Sequence, residues 1–296
     1  MVDEPDLAGV HRTALGAALM RGMHLLCDGE PKVIRDDFAI ALGGWTEEQV
    51  FEIARAGAAG SSTATWVARS RFAEDRLASA RERGVRQYVV LGAGLDSFAL
   101  RHARSLGELV VYEVDDPPMQ TWKQRRLEQL NIAPPSGLRF VPCDFETQSI
   151  PSALSDARFV ADAPAVVSWL GVTQYLTPDA IAQTLRWVAQ LAAGSEIVMT
   201  FVVPGPAADA ERESHAARGT TFETFFTPEQ IVAVVSDAGL RSELFTPEQI
   251  DALYFADRDD ELHAPEVERL IVGHSETPPP LPHESAGIQR TDAIDG

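Results

Sequence analysis

Two glycines and a spaced set of acids carry the chemistry in this chain. Gly92-Ala93-Gly94-Leu-Asp96-Ser97 follows the apolar run Tyr88-Val-Val-Leu91, a pattern that suits a buried strand turning tightly into a helix. Glycines let a ligand approach the backbone closely, and a helix start offers free N–H groups and the positive end of a dipole. A second apolar run ends in Glu113 and Asp115, at about the 20-residue distance at which a strand-end acid accepts both hydroxyls of a ribose. Strand alternation puts both acids on one face, and Asp115 lies nearer the terminus. After a third run, Asp144 can accept from an adenine amino group and Phe145 can lie against the ring. The chemistry implied is the holding of a nucleoside cofactor.

Two cofactors compete for such a loop. A dinucleotide fingerprint wants a third glycine where this chain has Ser97, and Asp96 beside the loop repels a pyrophosphate. S-adenosylmethionine carries no phosphate, and its ammonium is suited to an acid such as Asp96. An NAD-dependent oxidoreductase is therefore disfavoured.

Taken in order, Val67-Ala-Arg69-Ser-Arg71-Phe72, Val89-Val-Leu-Gly-Ala-Gly-Leu-Asp-Ser97, Tyr112-Glu-Val-Asp-Asp-Pro117, Asp144-Phe145 and Trp169-Leu-Gly-Val-Thr-Gln-Tyr-Leu-Thr-Pro178 resemble the leucine carboxyl methyltransferase family. The resemblance spans about residues 65–255. It implies a Rossmann-like class I methyltransferase: an α/β fold with a seven-stranded, mostly parallel sheet, its last strand antiparallel, and helices on both faces. It also implies that Arg69 pairs with the cofactor carboxylate, with Arg71 as second choice, through the bidentate geometry a guanidinium offers. Gly92, Ala93 and Gly94 would lie beside the methionine part, Asp115 on the ribose, Asp144 and Phe145 on the adenine, and Tyr175 in the acceptor pocket. One position departs: the family commonly places a carboxylate near the cofactor amine where this chain has Leu170. Either Asp96 and backbone carbonyls take the ammonium, or the cofactor is held differently.

The elements that must position these residues are readable. Helical patterns run over Leu7–Leu26, from the capping box Thr46-Glu-Glu-Gln49, and over Thr65–Arg83, with a turn at Gly57–Ser62. Strands are predicted at Gln87–Leu91, Leu109–Val114, Leu138–Val141, Ala165–Leu170 and Glu196–Val203, alternating with helices as in a parallel sheet. Thr177-Pro178 and Thr227-Pro228 start two further helices, the second stopping at Gly239. Leu240–Phe245 and Asp251–Phe255 are predicted as final strands. The repeat of Phe-Thr-Pro-Glu-Gln-Ile at 226–231 and 245–250 reads as convergent helix-start chemistry, and Asp257–Glu261 as a solvated charge run. The expected division is a helical cover of the pocket over 1–85, a methyltransferase core over 86–270 with a lid at 204–226, and a Pro-rich polar tail over 271–296, all in one structural domain.

Twenty-five basic against 44 acidic residues give a formal charge of −19, which opposes nucleic acid and anionic membrane surfaces and favours a small-molecule partner. Cys27 and Cys143 show no metal-ligand spacing, so no metal is expected and a reduced, cytoplasmic setting is. The acidic start is not a signal peptide, and no apolar run reaches a membrane span. The expected activity is O-methylation of a small molecule. Its alternatives are carboxyl methylation of a peptide or protein terminus and a cofactor-binding protein of the same fold that does not methylate. His11, His24, His102 and His215 have no distinguishing context, so no catalytic base is assigned.

Overall fold

The computed structural model describes residues 11–56, 63–145, 147–217, 219–260 and 262–276. Seven strands form one sheet in the order β3-β2-β1-β4-β5-β7-β6: β1 (Gln87–Leu91), β2 (Val110–Asp115), β3 (Leu138–Pro142), β4 (Ala165–Trp169), β5 (Glu196–Val202), β6 (Arg241–Leu244) and β7 (Glu268–His274). The first five pair in parallel, while β7 runs antiparallel to both neighbours.

Each central strand is buried on both faces, as continuous apolar runs require. In β1, Val89 and Leu91 point to one face, where Leu154 of α7 (Ile150–Asp156), Ile181 and Leu185 of α8 (Pro178–Ala189) and Ile231 of α10 (Pro228–Asp237) fill the core. Tyr88 and Val90 point to the other, against Leu77 and Ala80 of α4 (Ala64–Glu82) and Phe98 of the short α5 (Phe98–Arg101). Helices therefore cover both faces, and the strand order reverses between β1 and β4, where a cleft opens at the carboxyl ends.

Among the described residues four helices precede β1, where three were expected. α1 (Arg12–Cys27) and α3 (Glu47–Arg55) are joined by a short α2 (Ala39–Gly43), and the three pack through Met23, Ile40 and Val50. The Thr46–Gln49 capping box forms. α4 serves two roles, because one side of it packs on the sheet along its length while Trp66 and Arg69 near its start face the cleft. α6 (Pro117–Gln129) follows β2, capped by Asp116.

The carboxyl-terminal part differs from expectation. Asp251–Phe255, predicted as a strand, belongs instead to α11 (Pro247–Tyr254). Thr246 and Gln249 close a capping box there, just as Thr227 and Gln230 do for α10, so the repeated hexapeptide starts two helices. This local hydrogen bonding outweighs the strand preference of a short aromatic run. The last strand is β7, and its register with β5 through His274 places residues 271–274 inside the sheet, so the tail does not begin at 271. The Pro-rich 277–296 and the turn 57–62 lie outside the described residues. The charge run is not simply solvated either. The Arg258 side chain is 2% exposed, and it donates to the carbonyls of Gly29 and Pro31, while Asp260 accepts from the Gly29 N–H at 2.7 Å.

Candidate active site

A cavity of about 800 Å³ lies at the carboxyl ends of β1, β2, β3 and β4, a size within the usual range for ligand sites. Its floor is the glycine loop. Gly92 and Ala93 both donate to the Val114 carbonyl, at 2.9 and 3.1 Å, which binds the loop to the end of β2. Gly92 and Gly94 have φ of +68° and +49°, conformations that an L side chain rarely adopts. Crowding forbids a side chain as well: a Cβ on Gly94 would come within 2.9 Å of the Ala14 side chain, and one on Gly92 within 2.5 Å of Val172.

Buried polar side chains from three elements fix this loop. Asp115 accepts from the Gly94 N–H at 2.5 Å and from the Asp116 N–H at 2.7 Å. Burial pushes its carboxyl above the usual range, and these two N–H bonds act against that push. Arg21 of α1 donates to the Leu95 carbonyl at 2.7 Å, and Lys123 of α6 donates to the Asp96 carbonyl at 2.6 Å. Asp96 accepts through its own side chain from the Phe98 N–H at 2.8 Å, which starts α5.

Every residue expected at the site lines this cavity except Glu113. Glu113 shares a face with Asp115, but it lies deeper along the strand, where α6 crosses. It is fully buried, and its carboxylate accepts from Lys123 Nζ at 2.5 Å. It anchors the loop from below and does not face the cavity. Arg69, Gly92, Ala93, Gly94, Asp96, Asp115, Asp144, Phe145, Leu170 and Tyr175 are brought together from four strand ends and one helix. Arg71 is turned to the surface, paired with Asp75 at 2.8 Å.

Arg69 is held on three sides. Its guanidinium lies over the Trp66 ring at 4.2 Å from the centroid, and a Cβ on Gly171 would come within 2.5 Å of Nη1. Nη1 donates to both carboxylate oxygens of Glu268, at 2.8 and 2.9 Å. Tyr175 packs edge-on against Phe222, ring centroids 5.3 Å apart, and Thr220, Thr221 and Glu223 complete that wall. The segment containing them is tied down where Glu223 N–H donates to the Gln174 carbonyl at 2.7 Å.

Several cavity residues were not singled out from sequence. Ser168 is 1% exposed, lines the cavity, and its hydroxyl has no hydrogen-bond partner among the described residues. Its signal was a lone hydroxyl in the apolar run Ala165-Val-Val-Ser-Trp169. His11, whose Nε2 donates to the Asp116 carboxylate at 3.0 Å, offered no signal, since only folding brings α1 to β2. His11, Asp115 and Asp116 each place one potential ligand atom within 4.8 Å of the others, among the described residues. His11 is exposed and Asp115 is already engaged by two N–H groups, so the cluster carries no metal assignment.

The residues fit S-adenosylmethionine. The unengaged Nε and Nη2 of Arg69 suit a carboxylate, the orphan Ser168 hydroxyl suits a polar group, and Asp115, bonded to the glycine loop, suits a ribose. No described helix is long and apolar enough to cross a membrane.

Comparison with known proteins agrees. Residues 14–189 match the family model described as leucine carboxyl methyltransferase. The chain is 33% identical over 217 residues to YktD of Bacillus subtilis (strain 168), an inferred S-adenosyl-L-methionine-dependent methyltransferase, covering 70% of this chain and 71% of that one. It is 32% identical over 231 residues to another so inferred from Mycobacterium avium (strain 104), covering 71% and 72%. A crystal structure of a DUF574-family protein from Streptomyces avermitilis shares the fold, with a TM-score of 0.56 at 16% identity over 90% of this chain and 97% of that one. The chain thus belongs to the leucine carboxyl methyltransferase family of class I methyltransferases, and its cofactor is S-adenosyl-L-methionine.

Proposed function

We propose that this methyltransferase transfers the methyl group to an oxygen atom of a small-molecule acceptor. The observation that carries this reading is the wall opposite the glycine loop. There the hydroxyl- and carboxylate-bearing residues Tyr175, Thr220, Thr221 and Glu223 line the cavity together with the apolar Leu170 and Leu176. A polar, oxygen-bearing acceptor is matched by such a wall. α1 and the 219–223 segment both border the cavity, which suits a compact acceptor more than a folded protein surface. On this reading, residues 204–226, with α9 (Pro206–Ala216) at their start, act as a lid over the acceptor.

Bound S-adenosylmethionine supplies an electrophilic methyl group on its sulfonium. The chain's part is to hold and orient. Arg69 takes the cofactor carboxylate, Ser168 and Asp96 receive the ammonium in the absence of an acid at 170, Asp115 accepts from the ribose, and Asp144 with Phe145 holds the adenine. Orientation of two bound reactants contributes on the order of 7–11 kcal/mol to such a displacement.

Incubation with methyl-labelled S-adenosylmethionine and a panel of small alcohols, phenols and carboxylic acids tests the reading. Labelled product with loss of S-adenosylhomocysteine's precursor is expected, and release of labelled methanol by mild alkali separates esters from ethers. Label appearing solely on added polypeptide termini would replace the small acceptor by a protein one. Label on nitrogen or carbon would remove O-methylation.

A further inference from the structure

We infer that Glu268 is a positioning residue for cofactor binding: it fixes the Arg69 guanidinium so that its free edge receives the cofactor carboxylate. The inference rests on the reading that Arg69 is the carboxylate anchor. The two residues are 199 positions apart, one near the start of α4 and the other at the start of β7, and their side chains are 9% and 11% exposed. Both oxygens of Glu268 are spent on one nitrogen, Nη1. Nε and Nη2 have no hydrogen-bond partner among the described residues.

That division matters because a guanidinium presents its five N–H groups in a rigid plane. With Nη1 engaged, the remaining Nε–Nη2 edge is the fork whose spacing matches a carboxylate. One face of the plane stacks on Trp66, and the backbone of Gly171 lies close to Nη1 and Nη2, which limits tilting. Glu268, bonded to Nη1 through both oxygens, opposes rotation within the plane. Arg69 borders the large cavity, whereas Glu268 does not and instead borders a small pocket behind it with Thr65 and Thr200. Glu268 thus acts from behind, through Arg69, without touching the ligand. Its charge also serves a site where position 170 is Leu: the nearly buried guanidinium keeps a counter-charge before the cofactor arrives, as buried ions require.

The test uses two ligands that share the adenosine thioether and differ in the amino acid end. Affinities of the full chain for S-adenosylhomocysteine and for 5′-methylthioadenosine are measured by calorimetry in the parent and in E268Q, E268D and R69A. E268Q is expected to weaken S-adenosylhomocysteine about tenfold while changing 5′-methylthioadenosine less than about twofold, the range of one charge-assisted contact. E268D, which keeps the charge, falls between. In an R69A background E268Q should have no further effect on either ligand. If R69A weakens S-adenosylhomocysteine and E268Q and E268D do not, Glu268 has no positioning role. If E268Q and E268D weaken both ligands alike, Glu268 supports the fold only and the inference is wrong. Should R69A leave S-adenosylhomocysteine unchanged, the anchor assignment itself fails, which is a separate result.

Discussion

Lys123 shows how a single buried charge can support a site it never enters. Its ammonium, 1% exposed, ties the Glu113 carboxylate to the Asp96 carbonyl, and so joins the interior of β2 to the rim of the glycine loop. Removing one partner of a buried pair leaves the other charge stranded, a loss of about 3–5 kcal/mol, whereas replacing both with apolar groups is often neutral. Lys123→Met should therefore lower stability in urea titrations by about that amount, and Lys123→Met with Glu113→Leu should recover most of it. If the double variant is as unstable as the single one, the pair is not the unit of stabilisation. The pair also explains why Glu113, expected at the site from sequence, does not face the cavity. Alternation says which face an acid takes, and it does not say which helix later covers that face.

At the scale of elements, a chain of buried ions connects α1, α4 and α5 to the loop. Arg21 binds Asp36 at 2.7 Å, Asp36 lies 3.9 Å from Arg101, and Arg101 binds Glu74 at 2.5 Å. Burial alone would raise the Asp36 carboxyl, but the charges of Arg21 and Arg101 outweigh it and hold the group below its usual range. For Glu74 burial also acts upward, and the bonds and charges of His102 and Arg101 prevail. A carboxyl lowered on folding stabilises the protein above its unfolded-state value and loses that contribution as the pH falls through its folded value. Stability from these groups should thus hold above about pH 4 and fall below it. Thermal melts from pH 7 to pH 3 should show the loss, and Asp36→Asn should be less stable at pH 7 with a shallower acid decline. Parallel curves for the two proteins would remove Asp36 from the acid response. The sequence marks these helices by their apolar spacing and caps. It does not mark the network, because its members lie between positions 21 and 101 and meet only when the helices pack.

For the whole molecule, the cleft sits where neighbouring strands β1 and β4 lead their connections to opposite sides, so ligand binding should report on the entire fold. S-adenosylhomocysteine at about 100 times its dissociation constant should add roughly 2.7 kcal/mol to unfolding stability, and NADH should add nothing. A rise in melting temperature with NADH but not with S-adenosylhomocysteine would contradict the cofactor assignment. The formal charge of −19 belongs to this scale too, since it sets the field in which a sulfonium approaches.

The sequence by itself determined the five parallel strands, the glycine loop, the strand-end acid Asp115 and ten of the residues that line the cavity. Each of these is written in local period, in glycine placement, or in distance from the loop along a βαβ repeat. It also determined the caps at Thr46, Thr177 and Thr227, whose bonds span three residues. What only the tertiary structure decided depends on contacts between distant segments. β7 was missed because its place between β5 and β6 is set by antiparallel pairing with distant segments, and Asp251–Phe255 was misread where a capping box fixes a helix. The partners of Arg69, the shielding of Glu113 and the closing of α1 over Asp116 arise the same way: local pattern sets which elements form, and burial decides which side chains they present to one another.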